Sequence, residues 1–545
     1  MCIRDRIELQ PKVFDTLLYL VRNADRVIPK TELLDAVWPG VEVTENVLAR
    51  AISSLRKALD DSPRESRYIR AVPRVGYRFV ASLDTPAPAD SDTPQCKAIA
   101  VLPFRPLSPD NRDEALELGI ADALVEQLSR LPDLVVRPLA TVQQVAAESA
   151  DPFVVADRTG VDACLDGTIQ RSGERVRLTV RLLSAKTQAM LWSASFDEEM
   201  ADIFKLQDQI CGRIVRELTP RLAAFASSRR ETSPDAYKTY LEGRLFLNRL
   251  VPLDVSKALT HFETALDQDP AYAPAWAGVA ECHEFFGTTG ADAGSHYAAA
   301  ARASKRALAL DPDSPDALCM QAKIAWQFDW DWQRAEALFE DAVSRFPNRA
   351  DLHISYSDYC CYLGLRDRSI EQARAALAVD PISPWVNTLL AQALHMSGSH
   401  DDAIRHLQWT LELSPGFSFA HFFLGLAQFT KGDLGAALAE LEKAVASGRP
   451  DFVAAFGFLL AVSGQEEASR KILDEVLAAA DQAPPIAKVL LYLGQGNHDA
   501  AREATRECIE KRNWHVLILK AEPAIADLAQ DAGLTPLLDT LKLPG

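Results

Sequence analysis

Between Val43 and Asp61 the chain reads VTENVLARAISSLRKALDD. Leu48, Ile52, Leu55 and Leu59 recur at helical spacing and turn to one side. Asn46, Val47, Arg50, Ser53, Ser54 and Lys57 are left outside. Amide, hydroxyl and guanidinium groups on one helix face are the chemistry that reads base edges in the major groove of duplex DNA. Arg56 and Lys57 stand near the helix end, where cations suit both the helix dipole and a phosphate. Thr44 is placed to cap this helix, and Glu45 suits its positive N-terminus. A second basic stretch, YIRAVPRVGYRFV (Tyr68 to Val80), predicts two strands about a tip at Arg74, Val75 and Gly76. Such a loop can lie along a minor groove or the phosphate backbone.

The whole chain is acidic, with a formal charge of −18 over 545 residues, and DNA repels acid. The charge is uneven. Residues 1–83 hold 14 Lys/Arg against 11 Asp/Glu, a net of +3, which leaves −21 for the rest. Arg50 to Leu83 alone carries eight basic and three acidic residues. The basic character is confined to one small N-terminal module.

Two more helices are expected to hold that module together. PKVFDTLLYLVRNAD (Pro11 to Asp25) predicts the first, with Phe14, Leu17, Leu18 and Val21 inward. TELLDAVWPG (Thr31 to Gly40) predicts the second, stopped by Pro39-Gly40. Asp84 to Gln95, DTPAPADSDTPQ, has a linker composition. A second segment, about 97–226, alternates strand and helix patterns. Ala98–Phe104, Leu134–Pro138 and Ala189–Phe196 are strand candidates, and Arg175–Leu183 alternates cleanly after a hairpin turn expected at Ser172-Gly173. Leu116, Ile120, Leu124, Leu128 and Leu131 mark one helix; Ile203, Leu206, Ile210, Ile214 and Leu218 mark another. SSRRETSPD (Ser227 to Asp235) is a polar break.

The third segment, 235–545, repeats. Prolines stand at 270, 312, 347, 381, 415 and 450, separated by 42 and then 34 or 35 residues. Ala335, Ser369, Ala403 and Ala437 recur every 34, as do the pairs Leu390/Leu424, Ala391/Gly425 and Leu407/Leu441. That period predicts stacked helix pairs. The longer first interval predicts an insertion near TTGADAGSHY, and two degenerate repeats are expected after Pro450.

Three resemblances follow from these motifs. ELQPKVFDTLLYLVRN, VIPKTELLDAVWPG, LARAISSLRKAL and YIRAVPRVGYRF resemble the winged-helix output domain of OmpR/PhoB-type regulators over nearly all of residues 8–80. The resemblance is to the one-component branch that carries this domain at the N-terminus. It implies groove-facing positions at Asn46, Val47, Arg50, Ser53 and Ser54, phosphate contacts from Lys57 and Tyr77, and Arg74 at the wing tip; Arg56 and Arg78 join them as candidate DNA-binding residues. The family domain opens with a four-stranded sheet, of which only Ile7–Gln10 could remain here. MCIRDR reads as foreign to the domain, so a truncated N-terminus is expected. Pro29 falls where the family commonly has a Ser/Thr helix cap. The middle segment resembles the N-terminal α/β domain of TolB-like proteins, through AIAVLPF, GIADALVEQLSRL and the stretch from Val161 to Asp197. Ala258, Phe262, Ala265 and Pro270, and again Ala335, Phe339, Ala342 and Pro347, resemble the tetratricopeptide repeat, which implies a concave groove for a protein or peptide.

The expected fold is therefore multidomain α and α/β: a winged helix-turn-helix (1–83), a linker (84–96), a small α/β domain (97–226) and an all-α solenoid (235–545). No apolar run approaches the roughly 20 residues of a bilayer span, so no membrane association and a cytoplasmic location are expected. The nine cysteines make no C-x-x-C pair, and Cys360 and Cys361 read as buried helix residues. His395, His400 and His406 cluster in sequence only loosely, and no metal or cofactor is expected. Phosphate-loop, dinucleotide, zincin and nucleophile-elbow motifs are absent, so an enzyme is not expected. The expected function is a one-component transcription regulator on double-stranded promoter DNA. Its expected partners are a protein or peptide in the repeat groove, RNA polymerase, and a second copy on DNA. The alternative is an interaction scaffold whose winged helix docks protein.

Overall fold

The computed structural model describes residues 11–22, 27–37, 45–59, 61–62, 66, 68–72, 75–80, 96–107, 113–129, 131, 134–172, 175–199, 209–210, 233–247, 252–289, 292–478 and 484–543. The chain forms two compact units, Met1–Pro94 and Gln95–Gly545.

The first unit contains α1 (Pro11–Arg22), β1 (Ile28–Pro29), α2 (Lys30–Val37), α3 (Glu45–Ala58), β2 (Ile69–Val72) and β3 (Gly76–Phe79). Its three strands pair in the order β1-β3-β2, both pairs antiparallel. The core gathers Val13 and Leu20 of α1, Ile28, Leu33, the α3 residues Leu48, Ile52 and Leu55, and Ile69 and Phe79 of the hairpin. Leu17 and Leu59 pack at its margin. Val13 and Leu20, outside the expected inward set of α1, are buried, and Leu17 of that set packs against the same core. The side chains of Phe14, Leu18 and Val21 lie outside the described residues, as do residues 1–10, Pro39-Gly40, Thr44 and the side chain of Glu45. Pro29 closes β1 opposite Gly76, directly before the first residue of α2.

The second unit begins with β4 (Ala98–Val101), β5 (Arg105–Pro106), α4 (Glu114–Ser129), β6 (Val135–Val136), α5 (Leu139–Glu148), α6 (Pro152–Thr159), β7 (Ala163–Ser172), β8 (Arg175–Ser184) and β9 (Met190–Glu199). The sheet runs β6-β4-β7-β8-β9, with β5 beside β7. β6, β4 and β7 are parallel, and β8 and β9 are antiparallel to their neighbours. The alternation of β8 holds: Val176, Leu178, Val180 and Leu182 are fully buried. So does the stripe of α4, Leu116, Ile120, Leu124 and Leu128; Leu131, expected in the same helix, is buried beyond its end at Ser129. Ser172 pairs with Arg175, which joins β7 to β8 as the expected hairpin, and residues 173–174 lie outside the described residues. Of the expected helix after β9, only Gln209 and Ile210 are described, and Ile210 is buried.

Eight helix pairs follow: α7 (Pro234–Leu247) and α8 (Pro252–Gln268), α9 (Ala273–Thr289) and α10 (Ala293–Leu310), α11 (Pro315–Ile324) and α12 (Trp332–Arg345), α13 (Ala350–Tyr362) and α14 (Arg366–Val379), α15 (Pro384–Met396) and α16 (His400–Leu413), α17 (Ser418–Thr430) and α18 (Leu434–Val445), α19 (Pro450–Val462) and α20 (Glu466–Ala478), α21 (Pro485–Gly494) and α22 (His498–Glu510). The recurring small residues Ala335, Ser369, Ala403 and Ala437 are buried in the second helix of each pair, where helices cross closely. Gly364, Gly398, Gly432, Gly464 and Gly496 turn the first helix into the second at φ between +69° and +90°, a region that L side chains rarely adopt. The expected insertion near TTGADAGSHY takes the form of longer helices about that stretch. α9 and α10 hold 17 and 18 residues against 13 and 14 in α13 and α14, about one extra turn in each. The chain ends with α23 (Ile518–Ala521), α24 (Pro523–Asp531) and α25 (Thr535–Leu538).

The α/β layer is bolted to the array inside this one unit. The buried Arg137 guanidinium, at the end of β6, donates to the carbonyls of Thr159 (2.9 Å) and Gly160 (3.1 Å) at the end of α6. It also donates to those of Ala378 (3.1 Å) and Val379 at the end of α14. Thr141 donates to Asp380 at 2.7 Å, and Asn348 Nδ2 donates to the carbonyls of Leu131 and Leu134.

Candidate nucleic-acid interface

α3 is aligned by its buried stripe. With Leu48, Ile52 and Leu55 at 2% exposure or less, the opposite face is fixed: Asn46, Ala49, Arg50, Ser53, Ser54 and Lys57 are all exposed. These positions follow helical spacing, i, i+3, i+4, i+7, i+8 and i+11. Val47 is half-buried at the edge of this face, and Ala49, not expected from the sequence, stands within it. The helical period places Ala49 there, but a small apolar residue does not announce itself as a contact.

The end of α3 is tied to the hairpin by two groups. Arg56 is only half-exposed, and its Nη2 donates to the Ile69 carbonyl at 2.9 Å. Its guanidinium thus braces β2. Asp61, buried, accepts from the backbone N–H of Ile69 (2.9 Å) and Tyr68 (3.4 Å) and sets where the hairpin begins. Lys12 Nζ donates to the Val37 carbonyl at 2.7 Å, a cation on the negative end of α2.

In the hairpin, Ile69 opposes Phe79, Arg70 opposes Arg78, and Val72 opposes Gly76. Residues directly opposite share a face, so two exposed arginines stand side by side. Like charges in that position repel, and an anion between them would relieve the repulsion. Arg78 was expected in the set; Arg70 was missed, although the two flank the tip symmetrically in sequence. Tyr77 is half-buried and packs against the core. Val75 is 48% exposed beside the tip, and Arg74 lies outside the described residues. Gly76 is required by contact: a Cβ there would sit 1.8 Å from the carbonyl oxygen of Ile28 on β1.

Comparisons with known proteins match three segments of the chain to families. Residues 4–79 match the family of the C-terminal domain of transcriptional regulatory proteins. Residues 94–213 match the second domain of HilA/YgeH-like transcriptional regulators, and residues 391–452 match the tetratricopeptide repeat. The chain is a DNA-binding regulator with a tetratricopeptide region. The regulator is 24% identical to the transcriptional regulator HilA of Salmonella typhi over 412 residues, 73% of this chain and 71% of that protein. It is 39% identical to the cholera toxin transcriptional activator of Vibrio cholerae over 71 residues, 13% of this chain and 24% of that one. A Rhizobium meliloti protein provisionally named adenylate cyclase 3 is 28% identical over 190 residues, 34% of this chain and 32% of that one. The middle segment, whose motifs resemble TolB-like proteins, thus has its family match among regulators.

The histidines of the array do other work. His395 and His400 approach at 3.0 Å (Nδ1 to Nδ1), and His406 Nε2 meets Asn387 Oδ1 at 2.9 Å. No group of three or more His, Cys, Asp or Glu side chains is placed to hold a metal among the described residues. Cys360 and Cys361 are buried in α13, and burial pushes the Cys360 thiol up to about 12. No helix among the described residues is long and apolar enough to cross a membrane.

Proposed function

We propose that the chain is a one-component transcription regulator, acting in the cytoplasm without an enzymatic activity of its own, that lays α3 in the major groove of double-stranded promoter DNA. The observation that carries this is the exposed face of α3 set against its buried stripe. Asn46 and Arg50 offer the fork and amide chemistry of base readout, Ser53 and Ser54 adaptable hydroxyls, and Ala49 a methyl suited to a thymine methyl. Lys57, Arg78 and Arg70 take phosphates; Tyr77 assists them, and Val47 and Arg74 complete the groove and wing contacts. Arg56 holds β2 in register and meets phosphate only with its outer edge. The break between units at Pro94 and Gln95 supports reading 84–96 as a linker between a 1–83 DNA module and the rest, with 97–226 and 235–545 as the α/β and repeat segments. The repeat region takes a protein or peptide partner, and a second copy of the chain on tandem half-sites and RNA polymerase are the further partners proposed. An acidic bulk of −21 outside the DNA module weakens nonspecific binding and so raises the relative weight of base contacts.

The test is fluorescence anisotropy of the full chain on DNA from its own upstream region, at two salt concentrations, against scrambled competitor. Expected is saturable binding that outcompetes scrambled DNA. Arg50→Ala should weaken the specific complex by about tenfold or more, and Arg78→Ala should lower the log–log salt slope by about one. Equal affinity for scrambled DNA at both salts would refute the reading and make the α3 face a protein-docking surface.

A further inference from the structure

After α22 the chain does not stop at the end of the array. It turns back along the face made by the first helices of the pairs, α13, α15 and α17. α23 packs against α13, and α24 against α17. The Trp514 ring lies 5.0 Å from Trp326 and 5.1 Å from Tyr362, edge-on to both. His395 Nε2 of α15 meets Glu522 Oε1 at 2.6 Å, both side chains fully buried. Trp332 Nε1 donates to the Leu541 carbonyl at 3.2 Å, across 209 residues of sequence. A capping segment of a solenoid touches its last repeat. This one reaches back through four helix pairs and covers the face on which a repeat array would receive a partner.

Strain and unpaired polar atoms gather at the same place. Of the four described non-glycine residues with positive φ, Arg512 (+51°) and Lys542 (+49°) bracket the segment, and Trp330 (+57°) lies against Arg512. Trp330 ends a π-helical turn, Ala325–Asp329, whose Phe328 and Asp329 carbonyls accept from Arg512. Single π turns and left-handed non-glycine residues persist where surrounding packing holds them, and they concentrate at clamps and switches. Trp326 Nε1, Trp330 Nε1, Asn513 Oδ1, His515 Nδ1 and Glu522 Oε2 are buried with no hydrogen-bond partner among the described residues. The apolar side of the contact is sound, with Val516, Leu517, Leu519, Ile525 and Leu534 buried. The closed form is thus the resting form, yet its polar groups and its hinge both gain from opening.

We propose that residues 513–541 are a latch. They occupy the partner face of the array in cis, swing out about Arg512, and yield that face to a helical segment of a protein partner. The partner segment has the latch's own chemistry: an aromatic side chain for the site between Trp326 and Tyr362, and a carboxylate eight residues later for His395. The proposal rests on the reading of the array as a partner-binding region and is independent of DNA binding.

Hydrogen exchange on the wild-type full chain tests the latch itself. Amides of 513–541 should exchange at least tenfold faster than those of α13 to α17, and equal rates would overturn it. A fluorescent synthetic peptide of residues 511–543 tests the face. Trp514→Ala in the full chain should bind this peptide at least tenfold more tightly than wild type, whose own latch competes at high effective concentration. Adding His395→Ala should remove at least tenfold of that gain. Peptide affinity unchanged by Trp514→Ala would refute an exchangeable occupant. Light scattering that finds the freed segments exchanged between two copies would overturn the protein partner in favour of a second chain.

Discussion

Arg137→Met removes a guanidinium and keeps most of its apolar stem, so the cavity term is small. The loss is in hydrogen bonds. Four carbonyls, of Thr159, Gly160, Ala378 and Val379, accept from this one side chain, which is 6% exposed. They are the ends of α6 and α14, so each helix also loses a cation at its negative terminus. A charged hydrogen bond contributes about 1.5–3 kcal/mol. The four share one donor group and are not additive, and removing one partner of a buried charged contact typically costs about 3–5 kcal/mol. The docking of β6 and α6 on α14 should therefore weaken by about 3–5 kcal/mol. At 1.4 kcal/mol per decade that is about two to three and a half powers of ten in opening. Hydrogen exchange on the full chain reads it: amides of α6 and α14 should lose that protection while those of α20 to α22 keep theirs. Arg137→Lys, which keeps the charge without the fork, should fall between. A change under threefold in α6 and α14 would show that the α/β layer is held by its apolar contacts and that the guanidinium is incidental.

Two other perturbations follow from the same packing. Gly76→Ala places a Cβ against the Ile28 carbonyl, so β1 must separate from β3; the hairpin should lose about 1–3 kcal/mol of stability, read as faster exchange of 69–79, and unchanged exchange there would refute the close approach. Burial raises the Asp380 carboxyl to about 6, against the opposing effects of its Thr141 hydrogen bond and Arg137. Its folded value lies above its unfolded one, so its contribution to stability is full below about pH 4 and is lost as pH rises through 6. Between pH 5 and 7, wild type should lose about 1–2 kcal/mol relative to Asp380→Asn in urea unfolding, and parallel profiles for the two chains would show that Asp380 does not titrate there.

What could be read in the sequence was whatever repeats or alternates locally. The stripe of α3 is legible because four leucine or isoleucine residues have polar residues between them. In α1 the period is ambiguous, because Val13, Phe14, Leu17, Leu18, Leu20 and Val21 put apolar groups on most of its circumference; Val13 and Leu20 join the expected Leu17 at the core. β1 is two residues long and has no pattern at all; it exists because Gly76 lets Ile28 approach. The repeats declared themselves through prolines and small residues, and the left-handed glycines at the inner turns recur at 34 residues from Gly364 to Gly432 and at 32 from there to Gly496. Arg137 read as the end of a strand and Glu522 as one acid among many. Their partners lie 241 and 127 residues away, and nothing local marks them.

The second unit also bears on how a signal can move. The polar break at Ser227–Asp235 divides two sequence patterns, strand–helix alternation before it and helix pairs after it. Packing does not divide there. Tyr237 of α7 donates to the Gly119 carbonyl of α4 at 3.2 Å, and a Cβ on Gly119 would sit 2.0 Å from Leu241. Ile382, between α14 and α15, packs among Ala100, Leu102 and Val142. A fragment cut at the break would open an apolar helix face to water, a cost in lost burial, and would exchange the fixed hydrogen bonds of the freed carbonyls for bonds to water. The α/β layer and the array therefore behave as one body with two surfaces. A partner that moves α14 or α15 acts directly on the helix ends that Arg137 holds, and the sheet edge at β6 must follow or give up those bonds.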